Sequence, residues 1–304
     1  MANATLAAQA TGRPARAGLP SVYWLLLLPP IILIVFFYLV PLAQILTISF
    51  TEFDADAATA PLGNYSMLFV DEGIQRMLLR TAWVCVITTF LTVVLGYIVA
   101  YAMVNVGPRQ RTLLMFGVLL TFWLSVLIRA FAWIILLRNR GIGYEAVDLF
   151  YQPLRDLGLV EGRLRLVRSE TGVIIGMVHF MLPYAILPLF ANMQGIDQRV
   201  LLAARGLGAT ASGTFWRVWV PLSFPGLIGA LILVFVFSLG FFVTPALLGG
   251  GKVVMIAEYI WFSMEQTLRW GLATMLATTI LVATLTLIVI MSRVVDLRTM
   301  YGAK

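Results

Sequence analysis

The sequence predicts an all-α membrane protein with six transmembrane helices, and three observations carry that prediction. Apolar residues make up 61% of the 304 and charged residues only 12%, against roughly 45–50% and about 25% in a soluble domain. Mean hydropathy is +0.95. The apolar residues also collect into runs at or above the ~20 residues that a helix needs to cross the hydrocarbon core. Together these exclude a soluble enzyme.

The runs at 22–48, 81–106, 112–137, 172–193, 222–248 and 270–292 are the predicted spans. The first is long enough to tilt, or to break near Pro29-Pro30 and Pro41. Residues 1–20 are small and polar, with Arg13 and Arg16 ahead of the first span. That span is about twice the 7–15 residues of a signal-peptide core, so it reads as an uncleaved anchor. No charge stands between Arg217 and Lys252, more chain than one span requires. Part of it, Thr244-Pro245-Ala246-Leu247-Leu248-Gly249-Gly250-Gly251, is expected to leave regular helix.

Charge sets the expected orientation. With the N-terminus inside, the inner segments carry Arg13, Arg16, Arg109, Arg111, Arg199, Arg205, Arg217, Arg293, Arg298 and Lys304 against Asp197 and Asp296. The outer loops also hold ten basic residues, mostly in the long 138–171 loop, where the positive-inside rule is weak. The first outer loop is acidic, with Glu52, Asp54, Asp56, Asp71 and Glu72. Both termini are therefore expected inside, in the cytoplasm. The resulting organisation is a tail over 1–20, a first span and acidic loop over 21–80, and a core over 81–292. That core includes the outer loop 138–171 and an inner connector at 197–221, and a tail over 293–304 follows it.

Absences narrow the chemistry. One His and one Cys cannot build a four-ligand zinc site, and Cys85 has no partner for an internal disulfide; it is expected to be a packing residue. Gly249-Gly250-Gly251-Lys252 fails as a phosphate loop, because Ala246 and Val253 stand where Gly and Ser or Thr are needed. It reads as a flexible outer turn, so the chain has no nucleotide site of its own. No acid lies inside any predicted span, which argues against the proton and sodium relays of ion-coupled carriers. The net charge of +7 reflects topology, since no basic patch interleaved with aromatics points to nucleic acid.

Within the spans a few residues stand out. Arg129 is the one formal charge inside a span, about 12 Å from the outer end of its helix at 1.5 Å per residue. It serves either as a pathway or gate-supporting residue or as a buried structural anchor. His179 sits in the middle or outer half of the fourth span beside Met181 and Tyr184 and reads more readily as packing than as a ligand. Pro183 and Pro188 each remove an i→i−4 bond, which predicts a helix broken twice, as a hinge or as a static kink. Phe241, Phe242 and Pro245 combine bulky rings with a backbone break, fitting either a constriction with carbonyls freed at Pro245 or ordinary packing.

The connector carries the most information. Asp197 is placed to cap a helix over 198–206, Gly206 and Gly208 to end it, and a second short helix over 211–217 leads to Pro221 at the start of the fifth span. This helix–turn–helix is expected to expose Leu201, Leu202, Leu207 and Phe215 beside Arg205. Taken as a bare physical object, it fits an amphipathic element lying on lipid as well as a partner-binding element.

Leu202-Ala203-Ala204-Arg205-Gly206-Leu207-Gly208, followed by Val218-Trp219-Val220-Pro221, resembles the cytoplasmic EAA loop of ABC importer permeases. That motif reads E-A-A, three residues, G, nine residues, I-x-L-P. The alanines, Gly208 and Pro221 match in register, Val218 and Val220 replace Ile and Leu, and Leu202 replaces the acid. Gly206 also stands where an acid is often found. From about residue 80 to 292 the chain resembles a type I, MetI-like permease subunit, most of all the first permease of spermidine/putrescine systems. Ile128-Arg129-Ala130-Phe131-Ala132-Trp133, Met181 through Pro188 and Gly240 through Gly250 carry the latter likeness. Permeases for opines and aminophosphonates look similar.

The resemblance implies a multi-pass protein of the bacterial inner membrane that passes a small solute without catalysis. It implies a second permease as heterodimer partner, two copies of an ATPase that bind ATP and Mg, and a periplasmic binding protein. It assigns Leu202, Ala203, Ala204, Arg205, Gly208, Val218 and Pro221 to ATPase coupling. The alternative is an ion-coupled secondary transporter or channel subunit acting alone. Because specificity in such systems rests mainly on the binding protein, the solute itself is not legible here.

Overall fold

The computed structural model describes residues 20–52, 63–139, 141–158 and 165–294. Arg13, Arg16, Asp54, Asp56, Arg298 and Lys304, with most of both tails, lie outside them. The chain divides into two compact units, meeting between Ile48 and Ser49.

In the first unit α1 (Pro20–Ile34) passes through Pro29 and Pro30 unbroken. A π turn, Val35–Leu39, then joins it to α2 (Val40–Thr51). There the Val40 N–H donates to the Val35 carbonyl, five residues back, immediately before Pro41. The extra residue widens the turn and relieves the clash of the proline ring with the preceding carbonyls. Of the two alternatives, tilt or a break, the helix shows no break at Pro29-Pro30 and a bulge before Pro41. In a span there is no water to take up released backbone groups, so the remaining hydrogen bonds are kept.

In the second unit a 3-10 turn (Gly63–Ser66) and α3 (Met67–Val70) lead into α4 (Glu72–Asn105). Asp71 caps α4, accepting from the Gly73 and Ile74 N–H groups at 2.7 and 3.1 Å. At 34 residues α4 is about 51 Å long and overruns the ~30 Å hydrocarbon core. Its last carbonyls are closed by Arg111, whose Nε and Nη2 donate to Met103 and Val104 at 3.0 and 3.1 Å. Pro108 begins α5 (Pro108–Trp123), where its missing N–H is harmless.

The predicted third span is two helices. Leu124 and Ser125 take extended backbone angles, and α6 (Val126–Leu137) leaves α5 at a bend of 102°. The bend falls before Arg129, which stays eight residues, about 12 Å, from the end of its helix at Leu137. The loop over 138–171 also holds a helix that hydropathy alone did not predict, α7 (Ile142–Asp156).

Next comes α8 (Glu170–Gln194), which runs unbroken through Pro183 and Pro188, against the predicted double break. More than half of its apolar window is buried, and packing on several sides holds it together despite two lost bonds. The connector follows as α9 (Gln198–Gly206) and α10 (Ala211–Thr214), then a second π turn, Phe215–Trp219, and α11 (Val220–Leu239). The bulge again ends two residues before a proline, with Val220 N–H on the Phe215 carbonyl and Pro221 next. The expected separate helix over 211–217 is thus the first part of one helical run, Ala211–Leu239.

A break at Gly240 precedes α12 (Val243–Gly249). The segment from Thr244 expected to be irregular is helical as far as Gly249, and the irregular backbone lies on either side of it. The chain continues through α13 (Ile256–Glu265) and closes with α14 (Trp270–Val294). By length and composition five described helices can cross a bilayer, or six with α5 and α6 counted as one bent span.

The core forms where α4, α8 and α11 meet, around Val93, Met181, Ala185, Leu189, Ala230 and Val234. Small residues set the spacing. A Cβ on Gly96 would stand 2.8 Å from the Ala185 Cβ, and one on Gly226 2.6 Å from the Asn192 Cβ. In a bilayer such close backbone approach gives helices the van der Waals contact that drives their association. Cys85 is fully buried in a second cluster with Val84, Val173 and Met177, as expected of a packing residue.

Candidate functional site

Two places combine the residues singled out from sequence, and they occupy different parts of the fold. The first is the connector. Asp197 Oδ1 accepts from the Arg199 N–H at 2.9 Å and starts α9. At the other end the Ala209 N–H reaches the Ala204 carbonyl at 3.1 Å and the Gly208 N–H reaches Arg205 at 3.0 Å. These are the two bonds of a Schellman cap, and Gly208 supplies the left-handed residue it needs, with φ +88°. Gly206 is the last helical residue and needs no special conformation. Thr210 then caps the next helix, its hydroxyl accepting from Gly213 N–H at 3.1 Å.

Aromatic contacts fasten this turn to the bundle. Tyr101 of α4 meets Phe215 and Trp219 edge-to-face, both at 5.3 Å. Trp219 is buried, and so is Leu201, which packs in the same core cluster as Met193 and Met103. Leu201 is therefore not exposed as expected, because α9 turns that face onto the bundle, and Phe215 is half-buried. What α9 does present is Leu202 (64% exposed), Ala203, Arg205 and Leu207 (91% exposed). Trp216 joins them at 66% exposure; it was not among the residues singled out from sequence, because only the packing of Phe215 on Tyr101 shows which of the two rings faces out. Ala204 and Val218 are half-covered, and Pro221 is exposed behind the bulge.

The second place lies where α6 crosses α8 and the end of α11. Arg129 and Trp133 are four residues apart on one face of α6. They meet consecutive residues of α8: the Arg129 guanidinium lies 4.2 Å from the Phe180 centroid, and Trp133 meets His179 edge-to-face at 5.5 Å. Phe180 also touches Phe241 at 4.4 Å, and Tyr184 touches Phe237 at 4.8 Å and Phe122 at 5.2 Å. The i, i+4 pair Phe180/Tyr184 on α8 was the legible signal for this cluster; Phe241 joins it from beyond the break at Gly240. Arg129 Nε is buried without a hydrogen-bond partner.

Pro183 is buried just below this cluster. Pro183 and Pro188 supply no N–H to the carbonyls four residues back, which belong to His179 and Tyr184 of the same cluster. Pro245 frees none, since it lies in the first turn of α12, where N–H groups have no intrahelical partner. Phe242 turns away from Phe241 and packs on Trp261 of α13 at 5.5 Å. The two phenylalanines therefore do not form one constriction. Beside Trp261 stands an acid that span-by-span reading passed over, Glu258, half-buried with Oε2 unpartnered. Burial pushes its carboxyl above the usual range, a backbone hydrogen bond at Met255 opposing. Among the described residues no group of acids, His or Cys can hold a metal ion.

Comparison with known proteins places these features in a family. Residues 92–299 match the profile described as binding-protein-dependent transport system inner membrane component. The spermidine/putrescine transport system permease protein PotB of Haemophilus influenzae is 33% identical over 257 residues, 83% of this chain and 87% of its own. PotB of Escherichia coli K12 is 32% identical over 229 residues, 75% and 80% of the two chains. Among solved structures, a bacterial alginate ABC transporter in complex with an alginate pentasaccharide-bound periplasmic protein superposes with a TM-score of 0.67. It covers 90% of this chain and 93% of that one, at 18% identity, and shows the same fold. A match over most of the chain together with a third of its residues identical settles the assignment: the protein is a multi-pass inner-membrane permease subunit of the binding-protein-dependent ABC transport family.

Proposed function

We propose that this chain pairs with a second permease and two copies of an ATPase to import a small organic amine of the spermidine/putrescine type. A periplasmic binding protein delivers the solute. The observation that carries this reading is the Schellman-capped connector, with Leu202, Arg205, Leu207 and Trp216 exposed on it, in a chain a third identical to spermidine/putrescine permeases. In this reading the connector faces the cytoplasm with both termini, and the ATPase grips that exposed strip. Nucleotide on the ATPase is then the ligand that distinguishes inward from outward states, since only differential binding shifts such an equilibrium. The α9 cap and the Tyr101–Phe215–Trp219 contacts pass its movement into α4 and α11.

The cluster around Phe180 and Tyr184 fits the passage of an amine. Aromatic faces attract ammonium groups, and the His179 and Tyr184 carbonyls relieved of helix bonds can accept from them. Arg129 supplies a tethered cation on that face until a solute competes for it. Reconstitution tests the reading. The subunit should co-purify with an ATPase, and vesicles holding the assembled complex should take up labelled spermidine or putrescine on ATP. Uptake of a sugar but no amine overturns the substrate class; failure to bind any ATPase overturns the coupling role.

A further inference from the structure

At the end of the bundle opposite the connector, about 37 Å along the 25 residues of α8, lies an open recess of about 1330 Å³. Its wall carries Arg138, Arg165, Arg168 and Lys252, and its apolar floor is Ile134 and Ile135 at the end of α6. The two ion pairs between described residues are Arg76–Glu72 and Arg80–Glu170, so none of the four cations is neutralised by a described acid. Glu170, next to lining residue Ser169, is already held by Arg80 at 3.0 Å.

The wall is built, not merely decorated. Arg168 adopts a left-handed backbone, φ +59°, that is unfavourable for a residue with a Cβ. Its N–H is fixed on the Leu248 carbonyl at 2.8 Å. A Cβ on Gly250 would stand 2.9 Å from the Arg168 Cγ, so that glycine leaves the space its stem occupies. Arg80 Nη1 donates to the Lys252 carbonyl at 3.2 Å and holds the other rim.

Depth is given by α7, which begins at the recess beside Gly141. It carries Ile142 and Leu149 on one face, 79% and 70% exposed, with Glu145, Asp148 and Gln152 on another. With α7 at the boundary of lipid and water, as its exposed apolar face allows, the cations stand at headgroup level and exposed Ile135 in the acyl region.

We propose that the recess binds the phosphate of an anionic phospholipid, with an acyl chain running along Ile134 and Ile135. Four cations over an apolar floor match a molecule that is anionic at one end and apolar at the other. An acidic protein surface would satisfy the cations and leave the floor uncovered.

The test uses the assembled transporter in nanodiscs containing phosphatidylglycerol or phosphatidylcholine with a photoreactive acyl chain. Phosphatidylglycerol should label the Ile134–Ile135 peptide several-fold more strongly, relative to labelling of the Ala211–Arg217 segment. Removing one cation should lower that preference about fivefold, the equivalent of ~1 kcal/mol per basic residue at an anionic surface. The double variant Arg165→Gln/Lys252→Gln should label both lipids alike, while Arg165→Lys/Lys252→Arg keeps the preference and so controls for folding. Equal labelling of both lipids by the unaltered protein overturns the proposal. Loss of the preference in excess inorganic phosphate assigns the recess to a free anion instead. A double variant that keeps the lipid preference but no longer docks the binding protein assigns it to an acidic protein partner.

Discussion

The guanidinium of Arg129 lies 4.2 Å from the centre of the Phe180 ring, a cation held on an aromatic face at the crossing of α6 and α8. Its Nε has no hydrogen-bond partner, and neither ion pair between described residues involves it. A charge placed that way faces protein or water rather than the centre of the lipid, where insertion scales put its cost at about 2.5–3.5 kcal/mol.

Arg129→Leu should therefore reduce transport or assembly, since it removes a cation–π contact and up to five donors. Arg129→Lys should retain part of the activity, because an ammonium also binds an aromatic face. Uptake rate and thermal unfolding of the reconstituted complex check both. Wild-type values for Arg129→Leu would leave the residue as a snorkelling side chain.

At Gly208 the φ of +88° defines a graded series. Gly208→Ala should weaken the cap by about 1–2 kcal/mol, the cost of a left-handed residue that carries a Cβ. Gly208→Pro adds loss of the N–H bonded to Arg205 and should abolish coupling while leaving membrane insertion intact. Solute-stimulated ATP hydrolysis is the readout. A Gly208→Pro complex that keeps its ATPase and its stimulation shows that the connector is not the coupling element.

Trp216 is the large exposed aromatic beside the connector, and interface energy concentrates in such anchors. Trp216→Ala should weaken ATPase association at least tenfold, in the range of a ~2 kcal/mol hot spot. Ser212→Ala, a small exposed change on the same helical run, should shift it little. Equal affinities for both variants in a pull-down titration would remove Trp216 from the docking surface.

Glu258 gives a pH signature. Burial raises its carboxyl above the ordinary range, so folding favours the protonated form. Its contribution to stability is full below the unfolded value and is lost as pH rises through the folded one. Glu258→Gln should accordingly unfold at a higher temperature than the wild type at neutral pH and at the same temperature in acid. Identical midpoints at both pH values would mean that the carboxylate is solvated.

Purified alone, the subunit should neither hydrolyse ATP nor move solute along an imposed proton or sodium gradient. It has no phosphate loop, and its predicted spans hold no acid. Flux assays in proteoliposomes decide this, and gradient-driven uptake without any ATPase would establish an autonomous carrier.

Hydropathy by itself determined that the chain is helical and spans the membrane, because burying backbone in lipid leaves helix as the local solution. The cap at Asp197, the turn at Gly208 and the extent of α9 were equally legible, since each is fixed by bonds within a few residues. Tertiary packing decided the rest. It turned Leu201 inward, kept α8 whole through Pro183 and Pro188, and split the third span at Leu124-Ser125, where no Gly or Pro marks the break. It also brought Arg129 to Phe180 and gathered Arg138, Arg165, Arg168 and Lys252 around one recess. Those placements depend on which helix faces meet, and hydropathy cannot show that, because every face of a span is apolar.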